Sequence, residues 1–123
     1  MKNVVILGST GSIGKSTLDV IRNLEHKYNV VALSANSQWE LLSEQVREFK
    51  PESVSLANEQ YIDSLRNSLP DNSVQILNGA NSVREMVSKE NVDIVLSAIV
   101  GGAGLPAAIE AIKSRKTLAL ANK

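Results

Sequence analysis

The chain has 123 residues, 43% hydrophobic and 21% charged, with 13 basic residues balancing 13 acidic ones and no cysteine. That is the make-up of one globular domain rather than a disordered segment, and a net charge of zero provides no global field for nucleic acid or an anionic membrane. Without cysteine there is no disulfide framework, thiolate metal site or thiol nucleophile, which fits a cytoplasmic protein.

The first strand is expected at about Asn3–Leu7. Its apolar run before Gly8 is too short for a signal-peptide core, and no apolar stretch further on approaches membrane-spanning length. A helix follows from about Ser12 to Glu25, with Ile13, Leu18, Ile21 and Leu24 at inward spacing. A second strand is expected at about Asn29–Ser34. Ser37 and Glu40 then match a capping box, and Trp39, Leu42, Val46 and Phe49 continue at helical spacing until Pro51. Ser53–Ala57 reads as a weaker strand, Ile62, Leu65 and Leu69 as a short helix, and Val74–Leu77 as a short strand candidate. Residues 81–89 suit another helix, with Val83, Met86 and Val87 apolar, and Asp93–Ala98 a buried strand. The cluster Gly101-Gly102-Ala103-Gly104 opens a helix through Ala108, Ile109 and Ile112, and Lys116–Ala121 is the last strand.

Strands alternating with helices predict an α/β fold, a Rossmann-like doubly wound, mostly parallel sheet with helices on both faces. Val4–Leu7, Val30–Leu33, Asp93–Ala98 and Thr117–Ala121 read apolar on both faces and are expected to be central. The expected order is 3-2-1-4-5, with a ligand crevice beyond the C-terminal ends of the first and fourth strands. Both glycine clusters fall at those ends. Aromatic residues are too scarce for base-stacking platforms, so single-stranded nucleic acid is not an expected partner.

The loop Gly8-x-x-Gly11-x-x-Gly14 is a variant of the dinucleotide fingerprint. Gly11 lets backbone approach a pyrophosphate, Gly14 lets helix and strand pack closely, and the N–H groups of Ser12 and Ile13 point towards the anion. Thr10 and Ser12 add hydroxyls. The plainer reading makes the glycines a turn and Ser12 a helix cap. A P-loop would need its first glycine at position 9, which is Ser9, although Gly14-Lys15-Ser16 matches its ending; Lys15 then reads as a solvated residue on the first helical turn. At the end of the second strand, Leu33-Ser34-Ala35-Asn36-Ser37-Gln38 carries no carboxylate to bind ribose hydroxyls. This leans towards NADP, with Asn36, Ser37 and Gln38 as donors, although no Arg or Lys is there to neutralise a 2′-phosphate.

Gly8-Ser-Thr-Gly-Ser-Ile-Gly14 with Ser16-Thr-Leu-Asp19, the Val31-Ala-Leu33 strand, Ala98-Ile-Val-Gly101 with Ala103-Gly-Leu105, and Leu120-Ala-Asn-Lys123 together resemble the 1-deoxy-D-xylulose 5-phosphate reductoisomerase family. The resemblance runs from residue 1 through the whole chain. It implies an NADPH-dependent oxidoreductase of non-mevalonate isoprenoid biosynthesis that also needs a divalent metal, magnesium or manganese. The reaction rearranges the phosphorylated sugar 1-deoxy-D-xylulose 5-phosphate and reduces the aldehyde intermediate to 2-C-methyl-D-erythritol 4-phosphate. Carried over by position, Thr10, Gly11, Ser12 and Ile13 would hold the cofactor pyrophosphate and adjoining ribose, and Asn36 and Ser37 would lie at the 2′-phosphate. Ala98 and Ile99 would line the cofactor crevice, Asn122 would contact NADPH, and Lys123 would face substrate.

Family members often carry Gly-Lys-Asn where this chain has Asn36-Ser37-Gln38, and they run on past the Leu-Ala-Asn-Lys segment. The expectation is therefore an N-terminal cofactor-binding domain over residues 1–123. The catalytic residues, metal carboxylates and helical C-terminal domain would lie elsewhere in a homodimeric enzyme, leaving this chain inactive by itself. His26, the single histidine, is expected to be exposed after the first helix. From the glycine loop alone, two alternatives stay open: another Rossmann reductase of the semialdehyde or dihydrodipicolinate type, or a P-loop nucleotide-binding module.

Overall fold

A computed structural model describes residues 1–24, 26–69, 74–79, 81–99 and 105–120. Among these residues six strands form one parallel sheet: β1 (Lys2–Leu7), β2 (Tyr28–Ala35), β3 (Ser53–Leu56), β4 (Gln75–Leu77), β5 (Ile94–Ser97) and β6 (Thr117–Leu120). They are joined by helices α1 (Ser12–Asn23), α2 (Trp39–Phe49), α3 (Ile62–Ser68, entered through a 3₁₀ turn at Glu59–Tyr61), α4 (Ser82–Ser88) and α5 (Leu105–Lys113). The sheet order is β4-β3-β2-β1-β5-β6. This is the expected doubly wound order, with the short β4 added at one edge.

The two faces of the central strands are both apolar, as a parallel sheet between helices requires. On one side Val4, Ile6, Val30 and Leu33 pack against Leu18 and Ile21 of α1, Leu42 and Val46 of α2, and Ile62 and Leu65 of α3. On the other, Val5, Leu7, Val31 and Ala32 meet Met86 and Val87 of α4 and Ala107 and Ala111 of α5. Val31 and Ala32 share that second face although they are adjacent, because the β1–β2 register skips at Val4/Val5, pairing Val4 with Val30 but Val5 with Ala32. A bulge of this kind inserts one unpaired residue and deepens the local twist just before the strand ends that form the crevice.

Two sequence expectations need correction. The stretch Thr117–Ala121 is not central. β6 ends the strand order, pairs with β5, and Leu120 is 69% exposed; apolar composition identified a buried-type strand but not its place in the sheet. α5 runs through Ala108, Ile109 and Ile112 as expected, with Ala107 and Ala111 inward and Leu105, Ile109 and Ile112 facing outward. The Ser37–Glu40 capping box does not form. α2 starts at Trp39, no side chain caps it, and the Ser37 carbonyl accepts the Trp39 N–H at 2.8 Å in a turn, so Gln38 stands at the cap position. Lys50 closes α2 in the left-handed conformation, with its N–H on the Val46 carbonyl at 2.9 Å, immediately before Pro51.

Candidate functional site

The loop between β1 and α1 is fixed by backbone geometry. Gly8 has φ +81°, and a Cβ there would sit 3.1 Å from both the carbonyl carbon and oxygen of Ala98, so only glycine suits this position. The N–H groups of Gly8 and Ser9 both donate to the Ser34 carbonyl at 2.9 Å. Ser9 is fully buried. Its hydroxyl donates to Gln45 Oε1 at 2.7 Å, and Gln45 Nε2 donates back to the Ser9 carbonyl at 2.9 Å. Gly14 brings α1 down onto this turn: a Cβ there would meet the Gly8 oxygen at 2.2 Å and Ser9 Cα at 2.7 Å.

Gly11 is different. Its backbone is extended (φ −77°, ψ 172°), which any residue adopts, and a Cβ there would meet only the Gly8 oxygen at 3.6 Å. Packing among the described residues gives no reason for glycine here. α1 starts at the next residue with no side-chain cap and no acidic residue in its first turn. Its leading N–H groups and the positive end of its dipole therefore suit an external anion.

Beside this loop lies a cleft of about 740 Å³ at the C-terminal ends of the strands. It opens where the chain reverses direction across the sheet, with β1 between β2 and β5, the place at which doubly wound folds hold ligands. Gly8, Thr10 and Gly11 form one wall, the β2 terminus from Ser34 to Gln38 another, and Ala98 and Ile99 a third. Ser55, Ala57, Glu59, Gly79, Ser82 and Val83 complete the lining. The Ser55 and Ser82 hydroxyls are hydrogen-bonded to each other at 2.8 Å and buried. Glu59 is the one charged side chain in the lining among the described residues. Among the described residues, the wall beside Asn36 and Ser37 thus offers polar groups without a cation.

Of the residues singled out from sequence, Thr10, Gly11, Asn36, Ser37, Ala98 and Ile99 all line this one cleft. Ser12 and Ile13 lie in the first turn of α1 directly after Gly11, Ser12 exposed and Ile13 half-buried. Asn122, Lys123 and the glycine cluster at 101–104 lie outside the described residues. Lys15 and His26 are exposed, and neither lines the cleft. Among the described residues no three His, Asp or Glu side chains gather as a metal site, and no helix is long and apolar enough to cross a membrane.

Sequence reasoning missed Ser55, Glu59, Gly79, Ser82 and Gln45. The signal for the first four was available: every strand of a parallel sheet sends its C-terminal end to the same rim, and β3 and β4 do so. For Gln45 there was no such signal, because a polar residue on an amphipathic helix ordinarily faces solvent.

Comparison with known proteins places this geometry. The family profile of 1-deoxy-D-xylulose 5-phosphate reductoisomerase matches residues 4–123. The reductoisomerase of Lachnospira eligens is 48% identical over 123 residues, covering 100% of this chain and 32% of its own length. That of Thermodesulfovibrio yellowstonii is 45% identical with the same coverage. Among solved structures, the Zymomonas mobilis reductoisomerase in complex with NADPH superposes with a TM-score of 0.90 at 36% identity, over 98% of this chain and 32% of that one. A DOX-P reductoisomerase in complex with NADPH, fosmidomycin and magnesium superposes with a TM-score of 0.92 at 36% identity, over 99% and 30%. The chain thus spans about a third of the length of the relatives it matches.

Proposed function

Since the chain belongs to the 1-deoxy-D-xylulose 5-phosphate reductoisomerase family, we propose that it is the NADPH-binding part of the enzyme that rearranges and reduces 1-deoxy-D-xylulose 5-phosphate. Gly11 carries the reading. It is a glycine in an unstrained conformation with, among the described residues, only one neighbour near its missing Cβ, so the space beside it suits the close approach of a ligand backbone such as a pyrophosphate. The uncapped start of α1 follows at once. Two of the similar solved chains carry NADPH, and the residues present here fit that cofactor.

In this reading Thr10, Gly11, Ser12 and Ile13 hold the pyrophosphate, chiefly through backbone N–H groups. Asn36 and Ser37 donate to the adenosine 2′-phosphate, and Ser37 is free for this because it does not cap α2. Ala98 and Ile99 exclude water along the opposite wall. Asn122 is assigned to NADPH and Lys123 to the substrate by resemblance. Bound NADPH supplies the hydride. The chain's own work is to bind and orient the cofactor, and the acceptor must be held against it by other parts of the enzyme. We assign the magnesium or manganese ligands and the substrate-phosphate contacts to the part of the enzyme beyond the third that this chain matches. We further read the whole enzyme as cytoplasmic and homodimeric, which cell fractionation and sedimentation of the full-length protein test.

The direct experiment is titration of the 123-residue chain with NADPH and NADH, followed by nicotinamide fluorescence. Saturable NADPH binding, weaker NADH binding and no turnover are expected. Equal affinity for the two defeats the NADP assignment, and failure of both to bind defeats the cofactor role.

A further inference from the structure

We infer that Gln45 is a positioning residue for the cofactor: its buried side-chain amide, from α2, sets the shape of the loop that receives the pyrophosphate. The inference rests on the NADPH-binding reading above. Gln45 is 6% exposed in the middle of α2, among the apolar residues Leu42 and Val46. A primary amide in such surroundings is costly unless both its oxygen and its nitrogen are paired. Both are, and to the same residue, Ser9: Oε1 accepts from the hydroxyl at 2.7 Å and Nε2 donates to the carbonyl at 2.9 Å.

The consequence concerns the loop more than the helix. Ser9 is held on every polar atom, its N–H on the Ser34 carbonyl and its hydroxyl and carbonyl on Gln45. It sits between Gly8, pressed against Ala98, and Thr10 and Gly11, which line the cleft. The strand side and the helix side thus clamp one residue, and the peptide units following it are those that face the cleft. A binding loop clamped in this way is pre-organised, so its amides need little ordering when the anion arrives. The same helix begins immediately after Asn36, Ser37 and Gln38, so one element borders the adenosine end and anchors the pyrophosphate end.

The test uses two probes on the same protein, NADPH, which reaches both ends, and adenosine 2′-monophosphate, which lacks the pyrophosphate. Gln45→Glu keeps size and the acceptor for the Ser9 hydroxyl but loses the donor to the Ser9 carbonyl. We expect NADPH affinity to fall about tenfold, the size of one hydrogen-bonded positioning contact, with adenosine 2′-monophosphate affinity unchanged. Ser9→Ala removes only the hydroxyl half, a smaller change that keeps the test available if the first variant does not fold. We expect about a threefold loss for NADPH alone, in line with a single neutral hydrogen bond. A purely structural role would lower the melting temperature while moving both affinities equally or neither, and either result overturns the role given to Gln45. If the unaltered chain binds adenosine 2′-monophosphate but not NADPH, or binds neither, the cofactor reading fails and the role of Gln45 fails with it.

Discussion

The two ends of the cleft are built from different materials. At the loop end, recognition is made of backbone: Gly8 turns against Ala98, Ser9 is clamped by Ser34 and Gln45, Gly14 seats α1, and Gly11 is left open to the cleft. At the far end, around Asn36, Ser37, Ser55 and Glu59, recognition is left to side chains on strand termini, without a cation among the described lining residues. The loop end is thus inseparable from the fold, whereas the far end can change without disturbing it. In the proposed function a common anion is read by the first, and the discrimination between cofactors falls to the second.

The largest effect should come from the loop end. Gly14→Ala places a Cβ 2.2 Å from the Gly8 oxygen, which neither backbone can easily relieve. We expect a loss of about 2–3 kcal/mol in unfolding free energy, seen in urea titration, together with loss of NADPH binding. Gly11→Val should separate function from fold. Its backbone suits any residue and, among the described residues, its Cβ meets only the Gly8 oxygen, in ordinary contact at 3.6 Å, so we expect stability within about 0.5 kcal/mol of the original. NADPH affinity, measured by fluorescence titration, should drop about a hundredfold because the added atoms occupy the approach to the loop.

Changes at the far end should be smaller and selective. Ser37→Lys puts a cation on a wall where the described lining residues have none. We expect the preference for NADPH over NADH to rise about tenfold at low ionic strength and to shrink in high salt, since the site is open to solvent. The smallest effect lies away from both ends. Arg22 of α1 hydrogen-bonds Glu48 of α2, at 2.8 Å through Nη2, and also pairs with Asp19. The Arg22 hydrogen bonds hold the Glu48 carboxyl below its ordinary value. A depressed carboxylate stabilises the fold above its unfolded pKa, and that contribution is lost as pH falls through the folded value. Glu48→Gln should therefore lower the melting temperature slightly near neutrality, with the gap to the original protein closing on acidification. The effect is small because the Arg22 and Glu48 side chains are 45% and 42% exposed. Cofactor affinity should not move.

The same division decides what could be read in the sequence. Strand, glycine loop and helix from Asn3 to Leu24 follow from local rules of periodicity and backbone sterics, so the order of the sheet and the loop end of the site were legible. The exposure of β6 was not, because Leu118 and Leu120 carry the composition of a central strand, although the expected order itself puts this strand at the edge. Ser37 was expected to cap α2, but the turn through its carbonyl moved the helix start to Trp39. The partnership of Gln45 with Ser9 spans 36 positions and leaves no local pattern. Ser55 and Ser82, from β3 and α4, meet only through the tertiary fold.

The most direct measurement is the change in backbone amide chemical shifts of the labelled chain on addition of NADPH. We expect the largest shifts at Thr10, Gly11, Ser12 and Ile13, with a second set at Asn36, Ser37, Ala98 and Ile99. Saturable binding whose shifts leave the Gly8–Gly14 amides unmoved, or no saturable shift at all, would contradict the backbone site described above.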